Sequence, residues 1–156
     1  MPGATRLNFI LKYKSLIAFF EEGISYKLKN KTAVKAWVSE AIKSEGYKVK
    51  ELTYIFCSDD YLLLLNQQYL NHDTYTDIIT FDNSDTNKVI LGDIFISIDR
   101  VRENAVKYNI PVIDELHRVI IHGALHLLGY TDKSAVDKKK MTLKEDFYLD
   151  KRGFNR

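Results

Sequence analysis

Residues 114–132 read DELHRVIIHGALHLLGYTD, and this stretch decides the fold. From residue 114 to residue 128 its apolar residues recur at helical spacing, at Leu116, Val119, Ile120, Leu125, Leu127 and Leu128. A helix that is apolar on most of its faces is usually buried at the centre of a domain. Gly129 ends the helix, because glycine readily takes the left-handed conformation that turns a chain back. The stretch therefore predicts a central buried helix followed at once by a turn.

Further helices and strands are predicted around this central helix, without strict alternation. Asn30 begins a helix that runs through Glu45, and other helices are predicted over residues 60–69, 99–108 and 133–150. Short apolar runs predict strands over residues 24–28, 52–57, 78–81 and 91–98. The mixture indicates an α+β fold, in which a small mixed β-sheet packs with about five helices. No linker interrupts the chain, so we expect one domain over residues 1–156, with the weakest pattern in residues 1–30.

The composition indicates a packed chain with balanced charge and little cysteine. Hydrophobic residues make up 46% and charged residues 28% of the chain, which is enough to bury a core. The net charge of +2 is too balanced to mark a nucleic-acid binder, although it is compatible with a local basic patch. The single cysteine, Cys57, excludes an internal disulfide and a thiolate metal cluster. Because Cys57 lies in an apolar run, we expect a buried thiol and no disulfide-linked partner.

The region before residue 30 faintly resembles a signal peptide. Residues 16–20 read LIAFF and follow several basic residues. The apolar run is too short for a signal peptide, and Glu21 and Glu22 follow it without a small-residue cleavage site. No stretch approaches the ~20 apolar residues that cross a bilayer. We therefore expect a cytoplasmic protein without a membrane partner, and the low cysteine content agrees with a reducing compartment.

The end of the central helix carries a predicted metal site. His122 and His126 are four residues apart, so both side chains lie on one face of the helix. The turn at Gly129 returns the chain and brings Asp132 toward the same point. Two imidazoles and one carboxylate are good zinc ligands, and they leave the fourth tetrahedral position to water, as catalytic sites do. The pattern predicts one zinc ion that activates water for hydrolysis, in a metallohydrolase-like domain.

Two other interpretations of the histidine pair stay open. Paired histidines can be structural, although burying two imidazoles in an apolar helix is unfavourable unless something pairs with them. A zinc peptidase is the second alternative, since such enzymes carry the pattern H-E-x-x-H. Their Glu is the general base, and the matching position here is Gly123, which cannot transfer a proton. A peptidase would need a base from elsewhere in the chain.

Three motifs in this order resemble the YbeY family of bacterial metal-dependent endoribonucleases. The family pattern H-G-x-L-H-L-x-G-Y is matched over residues 122–130, and L-G-D-I-x-I-S is matched over residues 91–97. The family pattern T-D-V-L-S-F is similar to residues 76–81. The resemblance covers roughly residues 50–146. It implies a metal-dependent, single-strand-specific endoribonuclease that acts in 16S ribosomal RNA maturation and ribosome quality control.

The chain departs from the family pattern at two positions. The third metal ligand of the family is usually His, and here it is Asp132, which remains a good zinc ligand. The family also places an Arg, implicated in RNA cleavage, where this chain has Leu70. Arg118 is the candidate replacement, because it lies one turn before His122 and guanidinium binds phosphate bidentately. The alternative role of Arg118 is an i, i+4 ion pair with Asp114.

Other polar residues have weaker predicted roles. Asp77 and Asp93 are expected to support the ligand histidines through hydrogen bonds, or else to act as caps or turn residues. His72 and His117 have no ligand-like spacing, so both are interpreted as structural or surface residues, with a proton shuttle as a remote role for His117. Residues 138–140 are three lysines that could contact an RNA backbone, but a solvated helix face is the preferred interpretation.

The leading hypothesis is an endoribonuclease that acts on ribosomal RNA precursors and works with the ribosome or ribosomal proteins. His122, His126 and Asp132 hold one zinc ion, and Arg118 contacts phosphate. The alternatives are another zinc hydrolase, such as a peptidase, and a non-catalytic zinc module on the ribosome. The loss of the family Arg at Leu70 is the feature that favours the non-catalytic module.

Overall fold

The structure, a computed structural model, describes residues 16–72 and 74–154, which form four strands and five helices. The strands are β1 (Ile17–Glu22), β2 (Lys48–Cys57), β3 (Ile78–Asp82) and β4 (Val89–Ser97). The helices are α1 (Lys31–Ser44), α2 (Asp59–Leu70), α3 (Ile98–Tyr108), α4 (Val112–Leu127) and α5 (Ala135–Asp150). The predicted α+β fold, a small mixed sheet with about five helices, is confirmed.

The strands form one mixed sheet in the order β1-β2-β4-β3. β1 pairs with β2, and β2 with β4, in parallel, whereas β3 joins β4 antiparallel. Because successive side chains of a strand point to opposite faces, the sheet contributes to two apolar layers. Tyr54 and Phe56 of β2 belong to the main core with α1 and α4. Their neighbour Cys57 packs in a smaller cluster with Leu62 of α2, and the predicted buried thiol is confirmed.

Helix α4 is the central helix predicted from the sequence. It packs against α3, α5 and the sheet, and the side chains that it buries fully include Leu116, Ile120, Ile121 and Leu125. Gly123 faces the sheet at close range, because a Cβ atom there would lie 2.8 Å from Cδ1 of Ile78 and 2.9 Å from Cγ2 of Ile94. The helix is therefore seated directly on β3 and β4.

The first strand differs from the prediction. The alternating pattern predicts a strand over residues 24–28, but the structure has none there, and the strand is β1 instead. The apolar run that resembles a signal peptide pairs in parallel with β2. Ile24 and Tyr26 produce the alternation because they pack against the core without strand pairing. The weak pattern assigned to residues 1–15 lies outside the described residues.

The predicted helix boundaries agree with the structure to within two residues. Asn30 precedes α1 as expected, but its φ of 54° is left-handed and its side chain makes no capping hydrogen bond. Ser58 does cap α2, since its Oγ accepts a hydrogen bond from the N–H of Tyr61 at 3.2 Å.

Within the described residues, no helix combines the length and the apolar character needed to cross a bilayer.

Candidate metal centre

His122 and His126 lie one turn apart on α4, and their Nε2 atoms are 2.9 Å from each other. Oδ2 of Asp132 is 3.4 Å from Nε2 of His122 and 3.5 Å from Nε2 of His126. Two ligands of a tetrahedral zinc ion, each bonded at ~2.0–2.1 Å, stand about 3.3 Å apart. The three side chains therefore fit one ion, and in the described part of the chain they form the one group of His, Cys, Asp or Glu side chains that converges in this way.

The turn after α4 brings Asp132 back to the two histidines. Gly129 has a φ of 98°, a left-handed conformation that glycine adopts without strain. The N–H of Tyr130 donates to the carbonyl oxygen of Leu125 at 3.1 Å, which closes the end of the helix. The chain reversal predicted from Gly129 is therefore confirmed.

The other ring nitrogens of the histidines are also held. Nδ1 of His122 lies 2.6 Å from Oε2 of Glu145 on α5, and Nδ1 of His126 lies 3.0 Å from the carbonyl oxygen of Tyr130. When Nε2 faces an ion, each Nδ1–H donates to its acceptor. Such hydrogen bonds set the orientation and tautomer of ligand imidazoles in metal sites. Both rings are thus oriented before any ion arrives.

Asp77 and Asp93 do not form the predicted hydrogen bonds with the ligand histidines. Glu145 and the carbonyl oxygen of Tyr130 form them instead. Asp93 on β4 accepts a hydrogen bond from Nδ2 of Asn83 at 3.3 Å. Asp77 precedes β3 and lines the cleft beside the histidines, where burial raises the pKa of its carboxyl. Sequence reasoning missed Glu145, because no local spacing marks a residue that reaches the site from another helix.

Arg118 is held by two carboxylates of α5. Its Nη1 donates to Oε1 of Glu145 at 2.8 Å, and its Nη2 donates to Oδ1 of Asp146 at 2.7 Å. The alternative pairing of Arg118 with Asp114 is wrong, since Arg118 contacts α5 and Asp114 forms an ion pair with Arg152 at 3.0 Å. Because Glu145 also binds His122, Arg118 is linked to the candidate ligands through one carboxylate.

The two histidines differ in their affinity for protons. Burial lowers the pKa of His122, but the hydrogen bond and the charge of Glu145 outweigh burial and hold the pKa above its ordinary value. Burial and the neighbouring charge of His122 lower the pKa of His126. Metal ligands must be deprotonated. Protons therefore compete with an ion more strongly at His122 than at His126.

A cleft of about 680 Å³ opens beside the candidate ligands. Its lining includes His122 and Asp132, together with Asp77, Glu115, Arg118 and Glu145. Glu115 is 5% exposed, and burial, followed by the charge of Asp77, raises the pKa of its carboxyl to about 7. Above about pH 7 the cleft holds four carboxylates and one guanidinium, so without a bound metal it is negatively charged.

The remaining polar residues named from the sequence lie apart from the ligands. His117 is buried against Trp37 and Phe154, with ring centroids 5.7 Å and 5.5 Å away, which confirms its structural interpretation. His72 is exposed, and so are the lysines at 138–140. These lysines lie on the solvated face of α5, as the preferred interpretation expects.

Position 123 has no room for the glutamate of a zinc peptidase. Any side chain there would begin within 3.0 Å of Ile78 and Ile94, on the side of α4 that packs against the sheet. The peptidase pattern H-E-x-x-H therefore conflicts with the packing of this helix as well as with its sequence.

Replacement of Glu145 by glutamine is expected to lower the affinity for Zn²⁺ by about 10- to 100-fold, because ligand rings held by a carboxylate lose basicity and orientation without it. Competition with a chromophoric chelator measures the change. Asp146→Asn is the matched control, since Asp146 binds Arg118 but no candidate ligand. Equal affinities of Glu145→Gln and the parent protein would contradict the role of Glu145.

Replacement of Glu115 by glutamine is expected to raise the melting temperature more at about pH 8 than at about pH 5. The carboxyl pKa is about 7 in the folded chain and about 4.5 in an unfolded chain. The free energy of unfolding therefore falls as pH rises from about 4.5 to about 7. Above pH 7 the ionised Glu115 carboxylate destabilises the folded chain fully. Glutamine removes this penalty, with a gain on the order of several °C in thermal unfolding. An equal rise in melting temperature at both pH values would refute the claim that burial raises the pKa of the Glu115 carboxyl.

Comparison with known proteins identifies the family. The family model Endoribonuclease YbeY matches residues 18–153. A protein of Cytophaga hutchinsonii named Endoribonuclease YbeY is 52% identical over 138 residues, which cover 88% of this chain and 96% of that protein. A protein of Flavobacterium psychrophilum with the same name is 52% identical over 127 residues, which cover 81% of this chain and 90% of that protein.

A solved structure shows the same similarity. The solution structure of a Thermotoga maritima protein matches with a TM-score of 0.61 at 31% identity, covering 86% of this chain and 87% of that chain. The residues that the family model matches include the three candidate ligands, Gly129 and helix α5 with Glu145. Because motif order, overall sequence and fold all agree, the chain belongs to the YbeY family of endoribonucleases.

Proposed function

We propose that this protein is a zinc-dependent endoribonuclease that cleaves single-stranded RNA in ribosomal RNA precursors. The observation that carries the proposal is the convergence of His122, His126 and Asp132 at a cleft, in a chain of this family. Their spacing of 2.9–3.5 Å suits zinc. Bound there, zinc supplies Lewis acidity and lowers the pKa of water to about 7.

The residues around the ligands each have a proposed task. Glu145 and the Tyr130 carbonyl hold the two imidazoles in place. Arg118 is the proposed phosphate contact. A guanidinium has five N–H donors, and its two hydrogen bonds to α5 leave others for a phosphate oxygen. Leu70, at the position of the family Arg, is exposed and uncharged, so it cannot take this part.

The charge of the cleft supports a metal-dependent interaction with RNA. Without an ion, the carboxylates of Asp77, Glu115, Asp132 and Glu145 outnumber the single guanidinium of Arg118. A phosphodiester is anionic and would be repelled from this cleft. A divalent cation reverses part of the field at the point where the scissile phosphate must lie. We therefore propose that RNA binds after the metal ion. We also propose that the protein acts in the cytoplasm together with the ribosome.

The cleavage test uses the zinc-loaded protein and one end-labelled RNA, offered single-stranded and as a duplex. We expect cleavage of the single strand, loss of cleavage with a chelator and recovery with added Zn²⁺. His122→Ala should be inactive, and His72→Ala is the matched control, because His72 is an exposed histidine outside the site. Failure of the zinc-loaded protein to cleave any RNA over a broad range of conditions would overturn the proposal.

The non-catalytic alternative, a structural zinc module on the ribosome, makes a different prediction. Structural zinc sites are closed, and their loss unfolds the chain. Here the Asp132 side chain is 41% exposed and lies at a cleft. If Asp132→Ala unfolds the protein, the structural alternative is supported. If Asp132→Ala stays folded and loses RNA cleavage, the catalytic proposal is supported.

A further inference from the structure

Glu115 is a buried carboxylate that the proposed chemistry does not use. It is 5% exposed and lines the cleft beside the candidate ligands. Within residues 16–72 and 74–154 no protein group forms a hydrogen bond or an ion pair with its carboxylate, and Arg118, whose charge acts on it, is bound by Glu145 and Asp146. The carboxylate oxygens are not sealed from solvent, so they are open to the cleft while the rest of the side chain is buried. An acceptor that is partly desolvated and faces a cleft can bind the donor groups of a ligand.

Glu115 lies about two helical turns from the nearer candidate ligand. It precedes His122 by seven residues on the same face of α4. At ~1.5 Å per residue this separation is about 10 Å along the helix axis. The offset suits the part of a substrate that extends one nucleotide away from the scissile phosphate.

The charges around Glu115 indicate which chemical groups it binds. Asp77 and Glu145 add negative charge near its carboxylate, and Arg118 and His122 add the opposing positive charge. A phosphate at this end of the cleft would meet several carboxylates and would be repelled. A neutral N–H donor would satisfy the Glu115 oxygens without that repulsion. A base edge therefore fits this end of the cleft better than a backbone phosphate.

The same cleft also offers a surface for a base. Tyr108, the last residue of α3, and Ile110 line the cleft, and both are exposed. Proteins that bind single strands stack bases on exposed aromatic rings and read their edges with polar groups. Tyr108 and Glu115 together provide one ring and one acceptor in one cleft.

We propose that Glu115 and Tyr108 form a nucleobase subsite for the nucleotide next to the scissile phosphate, and that this subsite prefers guanine. The inference rests on the proposed endoribonuclease function. Guanine carries N1–H and an N2 amino group side by side, so both can donate to one carboxylate. Adenine and cytosine offer only their amino group on the corresponding edge, and uracil places carbonyl oxygens beside its single N–H.

The test compares guanosine with inosine, which lacks only the N2 amino group. The zinc-loaded full chain is given single-stranded oligouridine RNA with one guanosine or one inosine, and the cleavage rate next to that position is measured. We expect about tenfold faster cleavage next to guanosine, as for one hydrogen bond to a charged group. In Glu115→Gln the ratio should fall to about one, because an amide NH₂ opposes the donors of guanine. Glu103→Gln, an exposed glutamate of α3, should keep the tenfold ratio.

Equal rates next to guanosine and inosine in the parent protein would overturn the subsite, as would a preference that survives in Glu115→Gln. If the zinc-loaded parent protein cleaves no RNA, the proposed function fails, and the subsite is then judged by binding alone. Fluorescence anisotropy with oligouridine that carries one 2′-deoxyguanosine or one 2′-deoxyinosine gives that measurement. A clear preference for deoxyguanosine supports the subsite, and equal binding refutes it.

Discussion

Replacement of Asp132 by alanine is expected to weaken Zn²⁺ binding by about two to three orders of magnitude while the fold survives. Apparent zinc-binding free energies of about 10–16 kcal/mol, divided among four ligands, correspond to roughly 2.5–4 kcal/mol for each ligand. The Asp132 side chain is 41% exposed in the turn after α4, so its removal leaves no cavity in the core. Competition with a chromophoric chelator measures the affinity, and thermal unfolding of the metal-free protein should be unchanged.

Asp132→His is the matched control, because imidazole is a good zinc ligand and should keep the affinity within about tenfold of the parent value. This variant separates the loss of a ligand from the loss of a negative charge, since His is neutral when it binds metal. If Asp132→Ala binds Zn²⁺ as tightly as the parent protein, Asp132 is not a ligand and the three-residue centre is wrong.

Replacement of Gly92 by alanine is expected to destabilise the protein by about 3 kcal/mol, the upper end of typical overpacking penalties. Gly92 lies in β4, between β2 and β3. A Cβ atom there would lie 2.7 Å from the carbonyl oxygen of Phe81, a backbone atom that cannot move aside without shifting β3. It would also lie 3.1 Å from Leu127, which is next to His126 on α4. The melting temperature should fall by on the order of 10 °C.

Gly153→Ala is the matched control, since a Cβ atom at Gly153 meets nothing within 4 Å and should leave the melting temperature unchanged. Because Leu127 adjoins His126, Gly92→Ala should also weaken Zn²⁺ binding in whatever fraction remains folded. An unaltered melting temperature for Gly92→Ala would show that β3 can move away from β4 at no measurable cost.

The central helix and its turn could be predicted because their signals are local. Apolar spacing identified α4, and Gly129 identified the chain reversal that brings Asp132 toward His122 and His126. The strand prediction for residues 24–28 is wrong. Buried and exposed side chains can alternate along a segment that packs on the core without pairing as a strand. Hydrophobic alternation reports which side chains are buried and does not report hydrogen bonding between strands.

The groups that surround the candidate ligands could not be predicted from spacing. Glu145 contacts His122 only because α5 packs against α4, so its role depends on tertiary structure. The same packing turns Arg118 toward α5, away from the i, i+4 neighbour that helix geometry offered. Glu115 reads as an ordinary polar residue in the first turn of a helix, and only its burial in the cleft distinguishes it.

The three candidate ligands are close together in the chain, and this affects how an ion influences thermal denaturation. All of them lie within residues 122–132, so closing the short segment between them loses little entropy even when the rest of the chain is denatured. The denatured ensemble can then chelate Zn²⁺ as well, and by mass action this offsets part of the stabilisation that binding to the native state provides. Saturating Zn²⁺ should therefore raise the thermal midpoint by less than the native-state dissociation constant implies.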